Sequence, residues 1–156
     1  MKDTRQERVG MTLDRSLLEM EYFHLQTTTE SFDAKSLTIK AWSVSIIGVL
    51  ASSGAFFGKW QLLLFASIMS FMFWIIDAAW KTFQLAYYQR INEIEEFMRG
   101  ERSGIKNLQI TRSWLASYRS GGYGRILRIM FWGHILLPHG VMFAGLLVAY
   151  ILATLV

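Results

Sequence analysis

The twelve Asp/Glu and three His residues of this 156-residue chain could do acid–base or metal chemistry, but they form no recognisable catalytic motif. There are no cysteines, which excludes disulfides, thiolate metal ligands and cysteine nucleophiles. The three histidines are scattered, and the HExxH, nucleophile-elbow and Walker motifs are all missing. We therefore expect no enzymatic activity, no cofactor and no metal site.

Asp77 is the ionisable residue with the most informative position, because it lies in the apolar run WQLLLFASIMSFMFWIIDAAW over residues 60–80. A charge inside a membrane span costs roughly 2.5–3.5 kcal/mol at mid-bilayer and less near the interface, so it needs a partner or water. Lys81 follows at i+4, in the favoured order of acid before base. Three interpretations stay open: a structural ion pair, a polar constriction lining a path in an oligomer, and a proton relay.

Two of the histidines, His134 and His139, flank the single proline, Pro138, in another apolar segment. A proline lacks a backbone donor, so the carbonyl of His134, four residues earlier, loses its helical partner. The pattern predicts a kink whose freed groups are met by a neighbouring helix. A gate or a protonation site is the alternative.

Charge is excluded from two long blocks of the chain, a pattern typical of integral membrane proteins. Residues 41–80 hold only Lys59 and Asp77, and residues 129–156 hold no Asp, Glu, Lys or Arg. Charged residues make up 18% of the chain, against about 25% in an average soluble domain. Residues 1–15 are charged throughout and lack the apolar core of a signal peptide, so we expect none there.

The elements that must position these residues are helices, and we predict an all-α integral membrane protein. Residues 41–58 and 60–80 are predicted to form two spans in a tight antiparallel hairpin, because about 20 apolar residues cross a bilayer. The segment after residue 125 is predicted to bend at Pro138, giving an oblique helix over 125–137 and a third span over 137–156.

The distribution of basic residues predicts the orientation of the spans. Residues 81–128 hold nine Lys/Arg and four Glu, whereas the short turn between the first two spans holds only Lys59. By the positive-inside rule, the N-terminal segment 1–40 and the segment 81–124 are cytoplasmic. The C-terminus is then expected on the external, periplasmic side.

Apolar residues recur at alternating spacings of four and three before the first span and after the second. The first stripe predicts one helix from residue 12 to residue 57, and the second predicts a helix over 81–99 that ends at Gly100. Packing of the two stripes within one chain is the simpler interpretation, and a subunit interface is the alternative. The stripes contain Leu18, Tyr22, Leu25, Thr29, Phe32, Ser36, Ile39, Ser43, Ile46 and Leu50, and then Phe83, Tyr87, Ile91, Ile94 and Met98.

Small residues on the first predicted span indicate that another helix can pack closely against it. Gly54 and Gly58 fit the GxxxG pattern, and Gly48 and Ser52 extend it. We predict that these positions contribute to helix packing or to an interface between copies of the chain.

The sequence ITRSWLASYRS, within residues 101–124, can form a short basic amphipathic helix on an anionic membrane surface. Glycines at 121, 122 and 124 predict a flexible joint after it. Topology and anionic lipid account for the basic residues, so we do not expect nucleic-acid binding. The residues predicted to contact lipid headgroups are Arg112, Trp114, Arg119, Arg125 and Arg128.

Two stretches, FDAKSLTIKAWSV (Phe32–Val44) and FWIIDAAWKTFQLAYYQRINEIEEF (Phe73–Phe97), resemble a group of small bacterial membrane proteins of uncharacterised function. The layout of a cytoplasmic helix, a two-span hairpin and a second cytoplasmic helix is similar to SLATT-type membrane modules. Those modules occur beside bacterial defence and nucleotide-signalling systems and are thought to form pores. The resemblance implies a bacterial inner-membrane effector and carries no established site residues.

Taken together, these patterns predict a homo-oligomeric protein of the bacterial inner membrane, acting as a channel or a pore-forming effector. The alternative is a non-conducting anchor or adaptor that recruits a cytoplasmic protein through its helical bundle. A holin-like lysis protein fits the size, but the long cytoplasmic helices argue against it.

Overall fold

The computed structural model of the protein describes residues 3–155, with side chains described for 15–122 and 124–155. The protein is all-helical, with 86% helix and no strand among the described residues. Within residues 3–155 there are five helices, in chain order: α1 (Asp3–Phe56), α2 (Gln61–Met98), α3 (Ile110–Met130), α4 (Gly133–Leu136) and α5 (His139–Leu155).

Two of these helices are long and apolar enough to cross a membrane. Within Arg15–Phe56 and Gln61–Met98, the most apolar windows reach mean hydropathies of 1.4 and 2.0. Only 17% and 39% of those windows are buried within the chain, whereas the core helix of a soluble protein is mostly buried. Most of the residues in those windows are therefore exposed on the surface of the chain. Helix α5 is also apolar but shorter, at 17 residues.

Glycine ends both long helices in the same way. After α1, Gly58 adopts a positive φ of 62°, and the Lys59 N–H donates to the Gly54 carbonyl at 2.9 Å. After α2, Gly100 has a φ of 78°, and the Glu101 N–H donates to the Glu96 carbonyl at 2.9 Å. Only glycine adopts this left-handed geometry without strain, which is why both helices stop where they do.

The chain divides into two compact units, and both long helices contribute to each of them. The first unit falls within Met1–Phe32 and Phe83–Gly121, and the second comprises Asp33–Thr82 and Gly122–Val156. The first unit has an apolar core in which the two predicted stripes meet. That core is formed by Leu18, Leu25, Ile91 and Ile94, with Tyr22, Tyr87 and Met98 packed against it.

A buried ion pair lies beside the core of the first unit. Arg90 Nε donates to Glu21 Oε1 at 2.8 Å, and Arg90 Nη2 donates to Glu21 Oε2 at 3.1 Å. The same guanidinium contacts Glu93 Oε2 at 3.2 Å and donates to the Lys106 carbonyl at 2.7 Å. Burial lowers the pKa of Arg90, but the hydrogen bonds and charges of Glu21 and then Glu93 outweigh it and raise that pKa above its ordinary value.

In the second unit, α2 and α5 approach closely because serine and glycine lie between them. Ser67 Oγ donates to the Phe143 carbonyl at 2.9 Å, and Ser70 Oγ donates to the His139 carbonyl at 2.8 Å. A Cβ added at Gly140 would lie 3.3 Å from the Trp74 ring. The first half of α5 is therefore fixed against the first half of α2.

The C-terminal third differs from the predicted arrangement. The prediction of a single oblique helix over 125–137 is wrong, because α3 ends at Met130 and the one-turn helix α4 follows at Gly133–Leu136. Pro138 does not kink a continuous helix but directly precedes α5, where its carbonyl accepts from the Met142 N–H at 3.0 Å. A proline is well tolerated at a helix start because its missing N–H has no partner there. The predicted joint is present as a break inside α3 at Gly122 (φ 55°, ψ −177°).

Candidate functional site

The carboxylate of Asp77 is the centre of a polar cluster inside the second unit. Its side chain is fully buried, at 0% exposure. Two residues one helical turn apart on α1 reach it: Ser36 Oγ donates to Oδ1 at 2.6 Å, and Lys40 Nζ lies 3.2 Å from Oδ2. The Lys40 contact has an ion-pair distance without the alignment of a hydrogen bond, so Oδ2 keeps no hydrogen-bond partner.

His139, the first residue of α5, supplies the third side of the cluster. Its side chain is also fully buried, and its ring stacks on Phe73 with centroids 6.4 Å apart. The Nδ1 atom lies 3.2 Å from Ser43 Oγ, and the Nε2 atom lies 3.7 Å from Asp77 Oδ2. Like Oδ2, the Nε2 atom has no hydrogen-bond partner, so two buried polar atoms without hydrogen bonds face each other, and Lys40 is the ion-pair partner of Oδ2.

The hydroxyl of Ser43 has two acceptors within reach. Its Oγ lies 3.0 Å from the Lys40 carbonyl and 3.2 Å from His139 Nδ1, and its single proton can be donated to only one of them. If it is donated to Nδ1, a neutral ring carries its proton on Nε2, which then faces Asp77 Oδ2; if it is donated to the carbonyl, Nδ1 carries the ring proton. In both arrangements the imidazole and the carboxylate lie side by side.

We call these five residues, Ser36, Lys40, Ser43, Asp77 and His139, the Asp77 cluster. They form the series Ser36–Asp77–His139–Ser43, in which adjacent groups lie 2.6, 3.7 and 3.2 Å apart. The 2.6 and 3.2 Å separations are hydrogen-bonding distances, whereas the 3.7 Å between Asp77 and His139 is longer than a hydrogen bond. Among the described residues, no group of three or more His, Cys, Asp or Glu side chains could hold a metal ion.

Two of the four residues predicted for a polar site come together, and two do not. Asp77 and His139 meet although 62 positions separate them in the sequence. Lys81 was expected to pair with Asp77, but the structure places its ammonium 3.4 Å from Asp33 Oδ1, and Lys40 takes the expected role. His134 is exposed, with its ring 5.7 Å from that of Trp132.

Lys40 was not among the residues predicted from the sequence, and Ser36 and Ser43 were predicted only as members of the packing stripe. A signal was nevertheless present, because Ser36, Lys40 and Ser43 follow a spacing of four and three on one face of α1. Small polar residues inside an apolar stripe indicate that something polar opposes them. Which partner they face could not be read from the spacing alone.

The residues predicted for helix packing divide between the interior and the surface of the chain. Leu18 and Leu25 are buried in the first core, and Tyr22 and Phe32 contact rings or carboxylates of α2 within the same chain. Gly54 packs against Leu62 and Leu63, and Gly58 forms the turn. Gly48 and Ser52 are exposed, and a Cβ at Gly48 would meet nothing within 4 Å. The stripe itself shifts by one residue, since Ile47 is buried at 1% exposure and Ile46 is 43% exposed.

The residues predicted to contact lipid headgroups divide between half-buried and exposed positions. Trp114 is half-buried in the first unit: its Nε1 donates to the Phe83 carbonyl at 3.1 Å, and its ring stacks on Tyr118 with centroids 5.1 Å apart. Its contact with lipid stays a prediction. Arg112, Arg119 and Arg128 are exposed and Arg125 is half-buried.

No known protein-family model, curated protein or solved structure matches this chain. The assignment of a function therefore depends on the geometry of the site.

Proposed function

We propose that the protein is a homo-oligomeric membrane protein that conducts protons, with the Asp77 cluster as its gate. One observation carries the proposal: Asp77 Oδ2 and His139 Nε2, both fully buried and without hydrogen-bond partners, lie 3.7 Å apart among apolar helices. Ionisable groups at such positions in membrane helices are costly and typically mark ion or proton pathways. The sequence predicts a channel or pore-forming protein, and this proposal specifies protons as the ions that it conducts.

The dimensions of the cluster support a gate rather than a complete path. From Ser36 to Ser43 the series follows seven residues of α1, about 10 Å along the helix. The hydrocarbon layer is about 30 Å thick, so water or further polar groups must complete the route. The basic segment 81–124 and the N-terminal segment 1–40 are proposed to lie on the cytoplasmic side of a bacterial inner membrane.

The surface of α1 supports assembly from several copies. Trp42 and Val49 are 65% and 66% exposed. Gly48 and Ser52, which are also exposed, form a small-residue face on the same helix, and a Cβ at Gly48 would meet nothing within 4 Å. Faces of this kind let membrane helices approach closely. The layout resemblance to pore-forming bacterial defence modules points to the same class of function.

The decisive experiment is proton flux into liposomes that contain the purified protein and a pH-sensitive dye. We expect wild-type protein to dissipate an imposed pH gradient, and Asp77→Asn to slow that flux at least tenfold. Asp33→Asn is the matched control, because it removes a carboxylate of the same unit that is 61% exposed. It should change the flux less than twofold.

Two results would contradict the proposal. Absence of proton flux from inserted, oligomeric wild-type protein excludes conduction. Equal flux from wild-type and Asp77→Asn protein excludes the cluster as the gate. Potassium flux measured in the same liposomes distinguishes a proton path from a wider pore.

An adaptor is the second candidate, and a specific cavity in the first unit favours it. This cavity of 480 Å³ is lined by Tyr22, Phe23, Ile94 and Met98 among others, and Phe23 is 67% exposed. An exposed aromatic beside an apolar cavity is a feature of protein-binding surfaces. A cytoplasmic protein that co-purifies with wild type and is lost with Phe23→Ala, in the absence of proton flux, would favour the adaptor.

A further inference from the structure

A second cavity in the first unit has a polar lining and contains no residue of the Asp77 cluster. It lies between α2, the connector 101–109 and the start of α3, and its volume is 390 Å³. Small-molecule sites in proteins typically measure roughly 300–1,000 Å³. Four of its lining residues are basic: Arg90, Arg102, Lys106 and Arg112.

The four basic residues do not contribute equally to the charge of the cavity. Arg90 is hydrogen-bonded to Glu21 and paired with Glu93, as described above. Arg102 lies 3.8 Å from Glu93 and 3.7 Å from Glu96, in ion pairs of its own.

Lys106 and Arg112 are different, because neither has an ion-pair partner among the residues that the structure describes. Glu93 also lines the cavity, and with Glu21 and Glu96 it offsets the charges of Arg90 and Arg102. The four basic side chains outnumber these three carboxylates, so the cavity keeps a net positive charge and favours an anion such as a phosphomonoester, whose charge is about −1.5 to −2 near neutral pH.

The buried ion pair holds the connector in place before any ligand arrives. The Lys106 carbonyl accepts from Arg90 Nη2 at 2.7 Å, and the Leu108 N–H donates to Glu21 Oε2 at 2.9 Å. Leu108 adopts a φ of 55°, a left-handed conformation that costs a non-glycine residue free energy and persists only when its surroundings enforce it. The backbone that carries Lys106 is therefore pre-organised.

A hydroxyl group at the cavity also lacks a partner. Ser113 lines the cavity, and its Oγ is buried and makes no hydrogen bond. An unsatisfied buried hydroxyl costs about 1–3 kcal/mol, and an acceptor oxygen of a ligand can remove that cost. Ser113 also lies in the first turn of α3, where the helix dipole favours negative charge.

We propose that this cavity binds a phosphate group. Lys106 and Arg112 neutralise its charge, and Ser113 donates its hydroxyl proton to a phosphate oxygen. The group can belong to a soluble phosphate compound or to the headgroup of a phosphomonoester lipid, since both present the same dianion. The proposal does not depend on proton conduction.

The test uses full-length protein in nanodiscs, with two probes that separate the sources. In the first arm, inorganic phosphate is titrated into phosphatidylcholine nanodiscs and its binding is followed by phosphorus NMR. In the second, phosphatidic acid is added to the lipid, and the midpoint of thermal unfolding is compared with that in phosphatidylglycerol nanodiscs of equal surface charge. Saturable binding in the first arm identifies a soluble ligand, and a rise of the midpoint confined to phosphatidic acid identifies a lipid.

Substitutions of the lining residues test whether they bind the phosphate group. We expect Lys106→Gln and Arg112→Gln each to weaken binding about tenfold, equivalent to about 1.4 kcal/mol. Arg119→Gln is the matched control, because it removes one exposed charge from α3 outside the cavity, and it should change affinity less than twofold. Ser113→Ala should weaken binding severalfold, whereas Ser120→Ala on the same helix should not.

The conservative variants Lys106→Arg and Arg112→Lys keep the charge and should retain binding, which guards against a loss caused by misfolding. The proposal is overturned if wild-type protein responds to neither probe. It is equally overturned if Lys106→Gln and Arg112→Gln proteins bind as tightly as wild type.

Discussion

The first and second units each bury charged side chains, but the hydrogen bonding of those side chains is complete only in the first unit. In the first unit, all the charged atoms of Glu21 and Arg90 take part in hydrogen bonds. In the second, Asp77 Oδ2 is ion-paired with Lys40, but neither Oδ2 nor the facing His139 Nε2 has a hydrogen bond. A fully satisfied pair fixes one conformation, whereas an incompletely satisfied one can change its protonation state. The contrast separates a structural ion pair from a candidate functional one.

Replacing Arg90 should have the largest effect on stability. Arg90→Met leaves the Glu21 carboxylate buried without its cation and removes the anchor of the connector. Breaking a buried pair in this way costs about 3–5 kcal/mol. Denaturant unfolding of the protein in detergent micelles measures the loss, and hydrogen exchange at the Leu108 amide should become much faster.

Arg15→Met provides the matched control for Arg90→Met. Arg15 lies 3.7 Å from Glu19 on the same helix, and both side chains are more than half exposed. An exposed pair contributes at most about 1 kcal/mol. If Arg90→Met costs no more than Arg15→Met, the buried pair does not hold the first unit together.

Asp77→Asn should cost less than Arg90→Met, about 1–3 kcal/mol, although Asp77 is fully buried. The Oδ2 atom has no hydrogen bond to lose, and the Lys40 side chain remains 19% exposed. A long lysine can extend its ammonium toward water once its partner is neutral. The same unfolding assay measures this loss, and a cost equal to that of Arg90→Met would remove the distinction between the two sites.

The architecture was largely predictable from the sequence, and the site only in part. Periodicity predicted α1 and α2, and Gly100 predicted the end of α2, because helix length and helix ends depend on local chemistry. The position of Asp77 in an apolar run identified it without its partners. Lys81, at i+4, was the partner that local spacing offered, whereas Lys40 and His139 reach Asp77 only through packing of three helices. Long-range pairing of this kind leaves no periodic signal in one sequence.

The contact between α2 and α5 that positions His139 can be tested at Gly140. A Cβ there would lie 2.5 Å from Leu136 Cδ1 and 3.3 Å from the Trp74 ring. Gly140→Ala should therefore destabilise the second unit by about 1–3 kcal/mol through overpacking, and it should reduce proton flux by displacing His139.

Gly145→Ala on the same helix is the control for this contact. A Cβ at Gly145 meets nothing within 4 Å. Because alanine favours helix over glycine, the change should stabilise α5 by up to about 1 kcal/mol. Opposite signs for the two variants are expected in thermal unfolding, and equal signs would show that α5 does not pack against α2 as described.

The smallest expected effect is at Leu108, in the connector 101–109, whose backbone is hydrogen-bonded by Glu21 and Arg90. Leu108 is 70% exposed and has a φ of 55°, so its side chain contributes little packing while its backbone is strained. Leu108→Gly should remove the backbone strain, which stabilises the folded state, but a glycine also gives the unfolded chain more entropy. The net effect should be a rise in the free energy of unfolding of up to about 1 kcal/mol. Leu115→Gly, the same change within the helical part of α3, should instead lower it by about 1 kcal/mol. A loss in both variants would show that Glu21 and Arg90 impose no strain on the connector, and the pre-organisation inferred for Lys106 would then have no basis.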